Sequence, residues 1–295
     1  MKNTIFTGAG VAIVTPMYED YTINYEKLKE LIEFQIANGT DSIIACGTTG
    51  ESATMSHQEH VDVIKFTVDA VAGRVPVIAG TGSNETAYAM ELSKAAEDIG
   101  ADALLIVTPY YNKTSQAGLV RHYTYLADNV SLPIILYNVP SRTGVDIKPA
   151  TYLELSKHPN IVATKEANDN LASIALTMQL CGDELDVYSG EDNLITPTLS
   201  LGGKGVISVL SNIAPQAVHD MTKSFFEGDT AESARLQIEY TPLINALFSD
   251  VNPIPVKEAL NMMGFGVGEC RMPLTTMSTE GAAALKKTLT DYNLL

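Results

Sequence analysis

Ile161-Val162-Ala163-Thr164-Lys165-Glu166-Ala167 follows a Pro159-Asn160 turn signal and reads as a short buried strand with a single lysine at its C-terminal end. The residues before Lys165 are uncharged and rich in β-branched types, which suit a strand covered on both faces. Burying an amine has a chemical consequence, because desolvation disfavours an ammonium and favours the neutral nucleophile that attacks a carbonyl. A lysine at a strand end can equally turn into water and pair with a carboxylate such as Glu166. The neighbouring strand ends therefore decide the reading.

Similar runs recur at Gly10–Thr15, Ser42–Cys46, Val75–Ala79, Ala103–Thr108, Pro133–Asn138, Asp186–Ser189 and Gly205–Val209, with helical patterns between them. Near-continuous apolar strands alternating with helices predict an α/β protein with a parallel sheet, and this spacing fits a (β/α)8 TIM barrel over residues 1–214. A doubly wound open sheet is the alternative. Helix signals include Tyr25–Asn38 stopped by Gly39, a Ser56-x-x-Glu59 capping box, and Glu85–Ile99 ended by Gly100. Residues 215–295 continue as helical pattern and are expected to form a C-terminal helical extension packed on the barrel.

The chain of 295 residues carries a formal charge of −16 and 45% apolar residues, as expected for a globular enzyme and not for a nucleic-acid or anionic-membrane partner. An anionic substrate must be held by a few local cations. The N-terminal sequence has no signal-peptide pattern and no apolar run reaches spanning length, so a cytoplasmic location is expected. Cys46, Cys181 and Cys270 lack C-x-x-C spacing and read as reduced structural thiols.

In a barrel the chemistry sits at the C-terminal strand ends. Those ends carry Gly47-Thr48-Thr49-Gly50-Glu51, Gly80-Thr81-Gly82-Ser83-Asn84, Thr108-Pro109-Tyr110-Tyr111-Asn112, Tyr137-Asn138-Val139-Pro140-Ser141-Arg142-Thr143-Gly144, Lys165 and Gly190-Glu191-Asp192. Residues 80–84 lack the third glycine of a dinucleotide fingerprint, and Gly203-Lys204-Gly205 lacks the hydroxyl residue of a phosphate loop. His57-Gln58-Glu59-His60 is not H-E-x-x-H, and no third zinc ligand accompanies it. What converges is an amine, phenols, threonine hydroxyls and a guanidinium: groups that form a Schiff base, move protons and hold a carboxylate.

GTTGE at 47–51, PYYN at 109–112, YNVPSRTG at 137–144, KEA at 165–167, GKGVIS at 203–208 and NPIPVK at 252–257, in this order through nearly the whole chain, resemble the dihydrodipicolinate synthase family of pyruvate-dependent class I aldolases. The resemblance implies condensation of pyruvate with L-aspartate 4-semialdehyde to 4-hydroxy-tetrahydrodipicolinate, without a metal or organic cofactor, in a homotetramer built as a dimer of dimers. It implies Lys165 as the Schiff-base residue, and a proton relay of Tyr137, Thr49 and a neighbouring subunit's Tyr111. Thr48 is then expected at the pyruvate carboxylate, Arg142 at the semialdehyde carboxylate, and Gly190 and the Ile207 backbone beside the lysine. Related aldolases acting on sialic acid or keto-deoxy sugar acids share the lysine and tyrosine, but generally lack the Ser-Arg-Thr-Gly tract. A non-catalytic barrel would be expected to lack Lys165 or Tyr137. Ser52, Ala53, His57, His60, Asn84 and Tyr110 fall where lysine-inhibited relatives hold L-lysine. Tyr88 stands where those relatives place a glutamate, which implies weak or absent inhibition.

Overall fold

The computed structural model describes residues 2–295. Eight parallel strands close into a barrel in sequence order: β1 (Gly8–Ala12), β2 (Ser42–Ala45), β3 (Val77–Gly80), β4 (Ala103–Val107), β5 (Ile134–Asn138), β6 (Ile161–Glu166), β7 (Asp186–Ser189) and β8 (Gly205–Ser208). Closure rests on β1 pairing with β8, Gly10 opposite Ile207, which excludes the open doubly wound alternative. Strands β3 and β5 begin just after Pro76 and Pro133, later than the apolar runs suggest, because proline has no N–H to give to a ladder.

Alternation along each strand divides the core. Ile78, Ala103, Leu105, Ile135, Tyr137 and Ile207 fill the barrel, while Leu104, Ile106, Ile134 and Leu136 face the helices. A register shift between Ile134 and Ile135 realigns β5 with β6, so that Tyr137 stands opposite Lys165. The covering helices start where the sequence signals them, and Ser56 and Glu59 form the expected reciprocal cap. Helix Pro215–Phe226 follows β8 and packs against β1.

Helices Thr230–Leu247, Ile254–Met262 and Thr279–Asp291 complete the chain. One buried ion pair fastens this C-terminal segment to the barrel mouth. Lys257 Nζ meets Glu51 Oε1 at 2.9 Å, with the side chains only 2% and 1% exposed. Lys257 Nζ also donates to the carbonyls of Thr15 (3.3 Å) and Glu269 (2.7 Å), and the Arg271 N–H donates to Glu51 Oε2 at 2.9 Å. Removing one partner leaves an uncompensated buried charge, a loss of about 3–5 kcal/mol. Lys257→Met is therefore expected to lower the free energy of urea unfolding by about that amount, with partial recovery in the Glu51→Gln/Lys257→Met double variant. A loss below about 1 kcal/mol in the single variant would show that the pair does not fasten the segment.

Candidate active site

Lys165 and Tyr137 are register partners at the C-terminal ends of β6 and β5 and share the inner face, because each occupies an inward position of its strand. Both are 6% exposed, and Lys165 Nζ lies 4.4 Å from the centroid of the Tyr137 ring. Amine and phenol therefore meet inside the barrel, away from bulk water. Gly190, just after β7, lets the chain pass close to them. A Cβ there would lie 3.0 Å from Lys165 Cε and 2.8 Å from Ala167 Cβ. The Gly190 N–H donates to the Glu166 carbonyl at 2.6 Å, which fixes that approach. Ile207 is fully buried in the same inner cluster.

Thr48 and Thr49 follow β2. Thr49 is 2% exposed, and its hydroxyl oxygen accepts from Asn252 Nδ2 at 2.9 Å. The Asn252 carbonyl in turn accepts from Arg142 Nη2 at 3.0 Å, so one residue of the C-terminal segment bridges a buried hydroxyl and an exposed guanidinium. Asn252 Oδ1 is buried and finds no partner among the described residues. Asn252 is a site residue that sequence reading missed; its only signal was the NPIPVK stretch. Glu191 is a second. Its carboxyl is raised by burial and then by Asp192, while Lys165 and Arg142 pull it the other way, so it lies within the field of both cations.

A cavity of about 390 Å³ opens at this mouth, walled by Thr48, Val139, Arg142 and Asn252. It continues between Ser52, Ala53, His60, Tyr88 and Tyr110, which links the strand ends to the residues expected at an L-lysine site. His57 and Asn84 do not line it. His57 packs its ring on Tyr88 with centroids 5.8 Å apart, and its Nε2 faces Glu91 Oε1 at 3.6 Å. Asn84 accepts from Asn112 Nδ2 through its carbonyl at 2.8 Å. His60 Nε2 is spent on the Gly80 carbonyl at 2.7 Å, and burial lowers its pKa, so the ring is a neutral structural donor. Tyr111 is not brought to this chain's own mouth; it is 90% exposed, with a left-handed φ of 69°.

The chain matches the dihydrodipicolinate synthetase family over residues 5–292. It is 58% identical over 292 residues to a 4-hydroxy-tetrahydrodipicolinate synthase of Lachnoclostridium phytofermentans, covering 99% of both chains. To that of Acetivibrio thermocellus it is 54% identical over 295 residues, covering 100% of both. The pyruvate complex of the chloride-inhibited dihydrodipicolinate synthase of Acinetobacter baumannii superposes with a TM-score of 0.97, at 43% identity over 99% of this chain and 100% of that one.

The close approach at Gly190 gives a direct check on the site. Gly190→Ala is expected to slow borohydride trapping of pyruvate by about tenfold or more, since a small displacement of a reacting group is costly, with a loss of stability of about 1–3 kcal/mol from the overpacked contact. An unchanged trapping rate would show that Gly190 does not border the reacting lysine.

Proposed function

Because this chain belongs to the dihydrodipicolinate synthetase family, we propose that the Lys165 amine is its Schiff-base nucleophile and that the groups around it divide the remaining work. The enzyme condenses pyruvate with L-aspartate 4-semialdehyde to give 4-hydroxy-tetrahydrodipicolinate, a step of lysine and diaminopimelate biosynthesis. The observation that carries the assignment is the buried Lys165 amine 4.4 Å from the ring of Tyr137.

Lys165 attacks the keto carbon of pyruvate and water leaves, giving an imine. Loss of a methyl proton gives the enamine, whose carbon attacks the aldehyde of the second substrate. The amino group of that substrate then displaces Lys165 as the ring closes, and one water is released overall. Tyr137, Thr49 and Tyr111 of the partner subunit move the protons. Thr48 binds the pyruvate carboxylate, Arg142 binds the carboxylate of the semialdehyde, and Gly190 and the Ile207 backbone border the lysine. The enamine supplies the carbanion equivalent, so the reading calls for no metal or organic cofactor.

The assembly is read as a homotetramer, a dimer of dimers. Tyr111, 90% exposed, supports one contact, where it would complete the partner's relay. A second contact is supported by helix Leu171–Cys181, which has no Lys, Arg, Asp or Glu and leaves Leu176 49% exposed. No described helix is long and apolar enough to cross a membrane, and the reading places the enzyme in the cytoplasm.

Lys165→Arg keeps the charge but cannot form the imine. Borohydride with pyruvate is expected to label the peptide containing Lys165 in the wild type and no peptide in the variant; labelling of Lys165→Arg would refute the assignment.

Regulation follows from the part of the cavity beyond the strand ends. Tyr88 lines it where a carboxylate would pair with an amino-acid ammonium, and Glu91 is already engaged by His57. Truncating one partner of a buried charge pair costs about 2–5 kcal/mol, and ~2 kcal/mol means roughly 30-fold weaker binding. L-lysine is expected to inhibit the wild type weakly and Tyr88→Glu at least tenfold more strongly by inhibition titration. Potent inhibition of the wild type with no tightening in the variant would show that Tyr88 is not the determinant.

A further inference from the structure

Lys165 and Glu166 are consecutive on β6, so while the lysine points into the barrel the glutamate points outward, beneath helix Pro149–Leu155. Its carboxyl group is 3% exposed as a residue and joins three segments. Oε1 meets the Tyr152 hydroxyl from that helix. Oε2 accepts from Asn138 Nδ2 at 3.1 Å and from Asn168 Nδ2. Asn138 directly follows Tyr137 at the end of β5, and Asn168 opens the loop after β6. Backbone bonds reinforce the join: Ala167 N–H donates to the Asn138 carbonyl at 2.8 Å, and Gly190 N–H to the Glu166 carbonyl.

We propose that Glu166 is a positioning residue for the Schiff-base lysine, its ionised carboxylate holding the ends of β5 and β6 together so that the Tyr137 phenol and the Lys165 amine keep their mutual approach. This rests on the assignment of Lys165 above. Oε2 faces two amide N–H donors and can hold no proton, so protonation occurs on Oε1 and reverses the bond to Tyr152. The Tyr152 hydroxyl, which accepts from Thr164 Oγ1 at 3.2 Å, must then donate back to it, and Thr164, the residue before Lys165, turns its own proton to the Leu136 carbonyl at 3.4 Å. A change of charge on the outer face thus reaches the strand that carries the nucleophile.

The surroundings place that change near neutrality. Burial, foremost, and the charge of Asp146 push the Glu166 carboxyl up to about 7, against the hydrogen bonds from Tyr152 and Asn138. The titratable groups around it are Tyr152, raised by burial; Asp146, which accepts from Asn138 at 2.9 Å and pairs with Lys148 at 2.6 Å; and Tyr123 of helix Gln116–Asn129, which acts on Tyr152 and donates to the Ile106 carbonyl at 3.1 Å. On the inner face stands Lys165 itself. The sign follows: raising the pH ionises Glu166 and restores the join, so activity rises through that range.

The test measures kcat against pH, with borohydride trapping located by peptide mass, for the wild type, Glu166→Gln and Tyr152→Phe. The wild type is expected to show an acid limb near pH 7, from a group titrating at about 7. Glu166→Gln is expected to lose that limb and about 10–100-fold in kcat, with the adduct still on Lys165. Tyr152→Phe removes a bond that lowers the Glu166 pKa, so its limb moves to higher pH; this variant decides the matter should Glu166→Gln fail to fold. An adduct on Lys165 with the limb retained in Glu166→Gln, or unmoved in Tyr152→Phe, overturns the positioning role alone. An adduct on a different lysine overturns that role together with the assignment it rests on.

Discussion

The structure depends on keeping one amine inside the ring of strands, with a phenol facing it from the neighbouring strand. That placement requires closure, because only a closed barrel gives β6 an enclosed inner face at its C-terminal end. It also requires the parity of β6, which turns Lys165 inward and Glu166 outward. Burying an amine requires polar company, and two carboxyl groups after β7 supply it. Glu191 and the fully buried Asp192, both after β7, feel the charge of Lys165. Asp192 is itself held by the N–H groups of Val209 (3.0 Å) and Leu210 (2.9 Å), which ties the end of β7 to the loop after β8.

Stability and site geometry share the same bonds at the mouth. Glu51 closes the Gly47–Glu51 turn in a left-handed conformation, φ 59°, and the buried Lys257 holds it there. A few residues earlier on the same C-terminal segment, Asn252 supplies the hydrogen bond that orients the Thr49 hydroxyl and the carbonyl that anchors Arg142. Arg271 adds a tie to Glu59, whose carboxyl it holds down at about 2, and to the carbonyls of Thr54 and Tyr21. The helical extension therefore shapes the two-threonine loop as much as it covers the barrel.

Much of this was legible in the residues. Apolar runs located all the strands, since a strand covered on both faces must be apolar along its length. The strand-end rule then singled out Lys165, Tyr137, Thr49 and Arg142. Closure was legible only through the count of eight β/α units, because the pairing of β1 with β8 joins distant residues and leaves no local pattern. Asn252 and Lys257 were missed for the same reason: their partners Thr49 and Glu51 lie 203 and 206 positions away. Glu166 looked like a solvent-facing partner for its neighbouring lysine, and only the helix carrying Tyr152 makes it buried. The histidine pair shows the converse. His60 reads as a ligand candidate in the sequence and is occupied by a backbone carbonyl in the fold.

The most direct measurement is a crystal structure of the protein soaked with pyruvate. The account requires continuous electron density from Lys165 Nζ to the keto carbon, with the Tyr137 hydroxyl within hydrogen-bond reach of the adduct and the carboxylate beside Thr48. Pyruvate bound without a covalent link under conditions of turnover, or linked to any other lysine, would contradict it.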